Sequence, residues 1–101
     1  MTASKKIYFA GSIRGGRSDV LTYHKIIDFL HQYGKVLTEH VADFNLQDNG
    51  EDSSDEFIYN RDIEWIKESD LLVAEVTNPS LGVGYEIGYA IKLNKNIICL
   101  Y

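Results

Sequence analysis

Short apolar runs alternate with helix-periodic stretches along the chain, and this order constrains the fold more than any other feature of the sequence. Lys6 to Ala10, Lys35 to Glu39, Asp70 to Glu75 and Asn96 to Tyr101 have the length and apolar content of buried strands. Between them, Ser18 to Tyr33, Asp55 to Glu68 and Val83 to Leu93 read as helices. The first helix places Val20, Tyr23, Ile27, Phe29 and Leu30 at helical spacing and meets Gly34, which reads as its C-terminal stop. The second follows Ser53, with Glu56 three residues on, the spacing of a capping box. Strand and helix in alternation predict an α/β domain with a parallel sheet covered on both faces by helices. The loops leaving the strands then open on one edge of that sheet, where such proteins bind ligands.

A chain of 101 residues, 45% hydrophobic, has room for one core and one domain. Its net charge of -5 argues against a nucleic-acid or anionic-membrane surface, so any phosphate must be held by local groups. Cys99 is the only cysteine and lies in an apolar run, where it reads as core; no disulfide framework or cysteine metal cluster is expected. With no signal peptide, lipidation motif or spanning apolar run in these residues, a cytoplasmic protein is expected. His24 and His31 have no carboxylate or cysteine at ligand spacing, and neither a metal nor a cofactor is expected.

The stretch Asn78 to Gly88 is a strand-to-helix turn holding one carboxylate. Pro79 and the glycines Gly82 and Gly84 interrupt regular structure, and Glu86 falls in the expected first turn of the following helix. The helix dipole alone favours an acid there by about 0.3 to 1 kcal/mol, a structural account that stands beside a catalytic one. Gly84 and Gly88 share a helical face at a cost in helix stability, which points to close packing or a close ligand.

Other polar groups converge on the same sheet edge. Gly11, Ser12, Ile13, Arg14, Gly15, Gly16 and Arg17 form a glycine-rich turn between the first strand and the first helix. Free backbone N–H groups at a helix N-terminus and the side chains of Ser12, Arg14 and Arg17 suit a phosphate. The spacing is neither that of a dinucleotide fold nor that of a P-loop, so NAD and ATP chemistry are disfavoured. On the second helix Asp62 is bracketed by Ile58, Trp65 and Ile66, which puts it on or beside the buried stripe. A carboxylate there is costly unless partnered, by Arg61 for example, and with Glu86 it makes the pair of acids that glycosidic cleavage needs. Tyr8 in the first strand and His40 after the second can reach the same edge, although a strand tyrosine is commonly core and a loop histidine commonly solvated. Trp65 and the other tyrosines read as packing.

Tyr8 to Arg17, Val36 to Val41, Asp62 before Glu64-Trp65, and Val73 to Thr77 running through Pro79 to Glu86 resemble the 2'-deoxynucleoside 5'-monophosphate N-glycosidases of the nucleoside 2-deoxyribosyltransferase superfamily. The resemblance is collinear over nearly the whole chain. It implies a Rossmann-like, flavodoxin-like sheet and hydrolysis of a deoxynucleotide to free base and 2-deoxyribose 5-phosphate, without a cofactor, by a homodimer. Glu86 then matches the nucleophile, Asp62 the carboxylate that assists base departure and sugar positioning, and Tyr8 the tyrosine beside the nucleophile. Ser12, Ile13, Arg14 and Gly16 match the nucleotide-holding loop, Ser80 a phosphate-side hydroxyl, and His40 a residue of the base side. Members of the family run on through a further strand and helix, from which a neighbouring subunit supplies a serine to the phosphate pocket. By that comparison residues 1–101 are a single domain lacking the C-terminal part. A base-transferring enzyme with the same covalent intermediate and a non-catalytic nucleotide-binding module are the alternatives.

Overall fold

The computed structural model describes residues 5–12, 20–38 and 54–101. Four strands, β1 (Lys5–Ala10), β2 (Gly34–Val36), β3 (Leu71–Glu75) and β4 (Asn96–Leu100), form one sheet in the order β2-β1-β3-β4. Each neighbouring pair is parallel, with Tyr8 opposite Leu72 and Ala74 opposite Cys99 in the register. The helices are α1 (Val20–Leu30), α2 (Asp55–Glu68) and α3 (Leu81–Lys92). From β1 the chain goes outward to β2 on one side and returns to β3 on the other. The crevice beyond the carboxyl ends of β1 and β3 is therefore the topological switch point, where open α/β sheets bind ligands.

Period-two alternation along the strands sorts the core into two layers. Ile7 and Phe9 of β1 join Val36, Val73, and Tyr23, Ile27 and Leu30 of α1 on one face. Tyr8 and Ala10 join Leu72, Ala74, Ile66 of α2, and Val83 and Ala90 of α3 on the other. The Phe9 and Tyr23 rings meet edge to face with centroids 5.4 Å apart. Helices thus cover both faces, as the alternation predicts.

Several boundaries differ from the sequence expectation, each for a local reason. β2 ends at Val36 rather than Glu39 because the Thr38 hydroxyl takes over the ladder. It accepts the Phe9 N–H at 2.8 Å and donates to the Phe9 carbonyl at 2.7 Å, satisfying both backbone groups of β1 with one side chain. Helix α1 ends at Leu30 and His31 to Tyr33 form a turn; Phe29 of α1, exposed rather than core, packs on Tyr33. Gly34 is no helix stop; it is the first residue of β2. Ser54, not Ser53, caps α2, its Oγ accepting the Phe57 N–H at 3.1 Å. Asp70 precedes β3 and uses its carboxylate to accept the Lys6 N–H at 2.8 Å. Cys99 is exposed; β4 is an edge strand, with a neighbour on one side only among the described residues.

A Cβ added at Gly34 would lie 2.1 Å from the Lys5 carbonyl oxygen, a backbone atom that cannot swing aside. Gly34→Ala is therefore expected to destabilise the fold by about 3 kcal/mol, read as a lowered midpoint in urea unfolding.

Candidate functional site

A cavity of about 620 Å³ opens at the switch point, and its walls include Gly11, Ser12, Asp62, Ser80, Gly82 and Glu86. β1, α2, and the turn that enters α3 each deliver one part of it.

Pairing with β2 and β3 holds β1 straight, so alternation sends Tyr8 into the α2 and α3 layer, where it is buried. Its hydroxyl donates a hydrogen bond to Glu86 Oε2. Burial raises the Tyr8 phenol well above its ordinary range, and the Glu86 and Asp62 carboxylates push it further. Tyr8 therefore stays a protonated donor at any pH at which the protein works.

Glu86 lies in the second turn of α3, not the first as the sequence suggests. Ser80 caps the helix and starts it at Leu81: its Oγ accepts the Val83 N–H at 3.2 Å and its carbonyl accepts the Gly84 N–H at 3.0 Å. The orphan N–H groups of the first turn are thus too far along the helix to explain an acid at Glu86. Burial is the largest influence on this carboxyl and pushes its pKa up to about 7. The Asp62 charge acts in the same direction, whereas the Tyr8 hydrogen bond and the Arg61 charge oppose it. A carboxyl poised near neutrality at a cavity wall is well matched to nucleophilic or acid–base work.

Asp62 faces the same cavity from α2, at the margin of a stripe whose centre, Ile66, is fully buried. Arg61 is its partner, as the sequence suggests: Nε and one terminal guanidinium nitrogen donate to Asp62 Oδ1 at 3.1 and 3.0 Å. Gly11 and Ser12 form the wall at the end of β1. A Cβ at Gly11 would meet the Tyr23 ring at 2.8 Å, and the Tyr23 hydroxyl donates to the Ser12 carbonyl at 3.2 Å, so packing by α1 requires the glycine. Ser80 accepts a bond from its own helix, which leaves its O–H able to donate into the cavity. Ile13, Arg14, Gly15, Gly16, Arg17 and His40 lie outside the described residues.

Gly84 and Gly88 mark no close contact among the described residues. No described atom lies within 4 Å of a Cβ built at either, and both sit on an exposed face of α3. Two tyrosines that read as packing belong to the cavity instead. Tyr59 and Tyr85 line it, share a hydroxyl–hydroxyl hydrogen bond of 2.8 Å and remain about half exposed, and Tyr85 stacks on Tyr89. The adjacency of Tyr85 to Glu86 was the one available signal for it; Tyr59 carried none. No helix among the described residues is long and apolar enough to cross a membrane.

The chain is similar to known proteins over most of its length. The chain is 58% identical over 96 residues to a 5-hydroxymethyl-dUMP N-hydrolase of Danio rerio, covering 94% of this chain and 67% of that protein. It is 56% identical over 97 residues to the 5-hydroxymethyl-dUMP N-hydrolase of Mus musculus, covering 94% of this chain and 56% of that protein. The chain thus spans between roughly half and two thirds of the length of these relatives. A solved structure of a CMP N-glycosidase from Clostridium botulinum superposes with a TM-score of 0.67 at 26% identity, over 94% of this chain and 67% of that one. The family model for nucleoside 2-deoxyribosyltransferase matches residues 7–101, from the third residue of β1 to the residue after β4, so that α2, α3 and most of β1, with Tyr8, Asp62 and Glu86, fall inside it, and the chain belongs to the nucleoside 2-deoxyribosyltransferase family.

Proposed function

We propose that this chain hydrolyses the N-glycosidic bond of 2'-deoxynucleoside 5'-monophosphates, giving free base and 2-deoxyribose 5-phosphate. The observation that carries the proposal is the Glu86 carboxyl, hydrogen-bonded by Tyr8 and set beside Asp62 in one cavity at the switch point. In the first step a Glu86 oxygen bonds to the anomeric carbon while the carbon–nitrogen bond breaks. The bonding pair leaves with the base, which takes up a proton, and Asp62 assists that departure. In the second step water attacks the same carbon, the ester bond to Glu86 breaks and the carboxylate is regenerated, and the proton that the water loses balances the one taken up by the departing base. A sugar without a 2-hydroxyl reaches an oxocarbenium-like transition state more readily, and the carboxylate beneath it both stabilises and traps that charge. The turn from Ser12 to Arg17 and the Ser80 hydroxyl hold the 5-phosphate in this proposal, and His40 stands on the base side. The relatives, named as N-hydrolases of a deoxynucleotide, support the same reaction class.

The family's name favours a second reading, passage of the deoxyribosyl group from Glu86 to another base instead of water. Adding a second free base to the assay separates the two. We also infer a cytoplasmic homodimer. The single cysteine fits a reducing compartment, and the exposed face of α3 bearing Gly84, Gly88 and Ile91 supports contact with a second copy.

The test is to incubate the chain with each deoxynucleoside 5'-monophosphate, the matching deoxynucleosides and the ribonucleotides, and to measure released base by chromatography. Release from deoxynucleotides alone is expected; none from a folded sample overturns the proposal. Arg14→Ala is expected to weaken binding of the phosphorylated ligand about 10- to 100-fold by calorimetry, with nucleoside affinity unchanged, since a lost charged hydrogen bond costs about 1.5 to 3 kcal/mol.

A further inference from the structure

We propose that Arg61 is a positioning residue for the acid pair: it pins Asp62 in place and supplies the positive charge that lets two carboxylates share one cavity. The inference rests on the reaction proposed above and concerns a residue that does not itself line the cavity.

The geometry is unusual for neighbours in a helix, whose side chains diverge. The Arg61 guanidinium nonetheless reaches its neighbour and donates twice to the same oxygen, Oδ1, at 3.1 and 3.0 Å. It is held in that pose from behind: its central carbon lies 4.6 Å from the centre of the Trp65 ring and 5.9 Å from that of Phe57. Both side chains of the pair are largely withdrawn from water, at 18% and 22% exposure, so their interaction is screened less than a surface ion pair. Trp65 packs in turn against the α2 and α3 core layer. A chain of contacts thus runs from the core through Trp65 and Arg61 to Asp62, and fixes the direction in which Asp62 meets a substrate.

The same cation has an electrostatic task. Among the described residues, the groups that act on Glu86 are Tyr8 from β1, and Asp62 and Arg61 from α2. Asp62 opposes ionisation of Glu86, and Arg61 is the only cation of the three, so it offsets that repulsion. Lysine keeps the charge but lacks the planar two-pronged donor and the flat face for Trp65; glutamine keeps a donor and loses the charge.

Two variants and two measurements test this. In protein labelled with carbon-13 at glutamate carboxyls, the Glu86 resonance, assigned by its absence in Glu86→Gln, is followed through a pH titration. The pH profile of kcat/KM for a deoxynucleotide is recorded beside it. In Arg61→Gln the Glu86 midpoint and the acidic limb are both expected to move up by about one pH unit. In Arg61→Lys the midpoint is expected to return most of the way while kcat stays about tenfold low, because charge is restored without orientation. An unmoved midpoint in folded Arg61→Gln overturns the electrostatic role, and full recovery of kcat in Arg61→Lys overturns the positioning role. Should Arg61→Gln fail to fold, the Lys variant still decides the second point. If the parent chain releases no base from any nucleotide, the proposed reaction fails, and the Glu86 midpoint still decides what Arg61 does.

Discussion

Glu86→Gln is expected to reduce base release by about 10⁴-fold or more while a deoxynucleotide still binds, the pattern for loss of a nucleophile that acts in the transition state and adds little to ground-state affinity. Glutamine keeps an oxygen that can accept from Tyr8 but cannot form the glycosyl ester. Activity of the parent chain should rise with pH through about 7, as the Glu86 carboxyl ionises. The same substitution has a second, opposite effect. A carboxyl whose pKa is raised from 4.5 to about 7 binds its proton more tightly in the folded state than in the unfolded chain. Between those values the folded state holds more protons, so stability falls as pH rises across the window, and the cost is fully present above it. Glu86→Gln removes that dependence. It should raise stability at about pH 8 by up to about 3 kcal/mol and have little effect at about pH 4. Urea unfolding at the two pH values reads it, and binding with unchanged turnover would remove Glu86 from the chemistry.

Asp62→Asn is expected to lower kcat by about 10²- to 10³-fold, within the range for a group that assists proton transfer at a leaving group. Its pH signature should be opposite to that of Arg61→Gln. The Asp62 charge holds the Glu86 carboxyl up, so neutralising it should move the acidic limb of kcat/KM to lower pH. If Asp62 assists departure of the base, the defect should shrink on substrates whose bases leave easily, a comparison made by measuring kcat across a series of substituted pyrimidine deoxynucleotides. An equal defect across the series would assign Asp62 to binding the sugar.

Much of this was visible in the sequence because strong, local signals agreed. The bounds of α2 are those the sequence predicts, and its apolar stripe places Asp62 at the edge of the core with Arg61 beside it. The four parallel strands follow from alternation alone. What escaped depends on contacts between distant residues. Nothing near Thr38 announces that its hydroxyl will stand in for a strand, since its partner, Phe9, is 29 residues away. Gly34 looks like a helix stop because that is the common use of glycine; its cause is the backbone of Lys5. Choosing Ser53 over Ser54 displaced a cap by one position, a difference that only backbone geometry resolves. Cys99 reads as core because its neighbours are apolar, but whether a strand is central or at an edge is decided by strand order.

The division of the core into two layers has a consequence for how such a protein can change over time. Tyr8 packs in the layer of α2 and α3, the helices that carry Asp62, Arg61 and Glu86, whereas Ile27 and Leu30 of α1 fill the opposite layer. Thermal tolerance can therefore be adjusted from the α1 layer while substrate preference is adjusted from the other, with little interference between them. The two pressures meet in β1, where alternate residues answer to different layers, and in Tyr23, which packs in the α1 layer and touches Gly11 and Ser12 at the cavity wall. Those few positions should tolerate the least variation, and the two layers beyond them should diverge at independent rates.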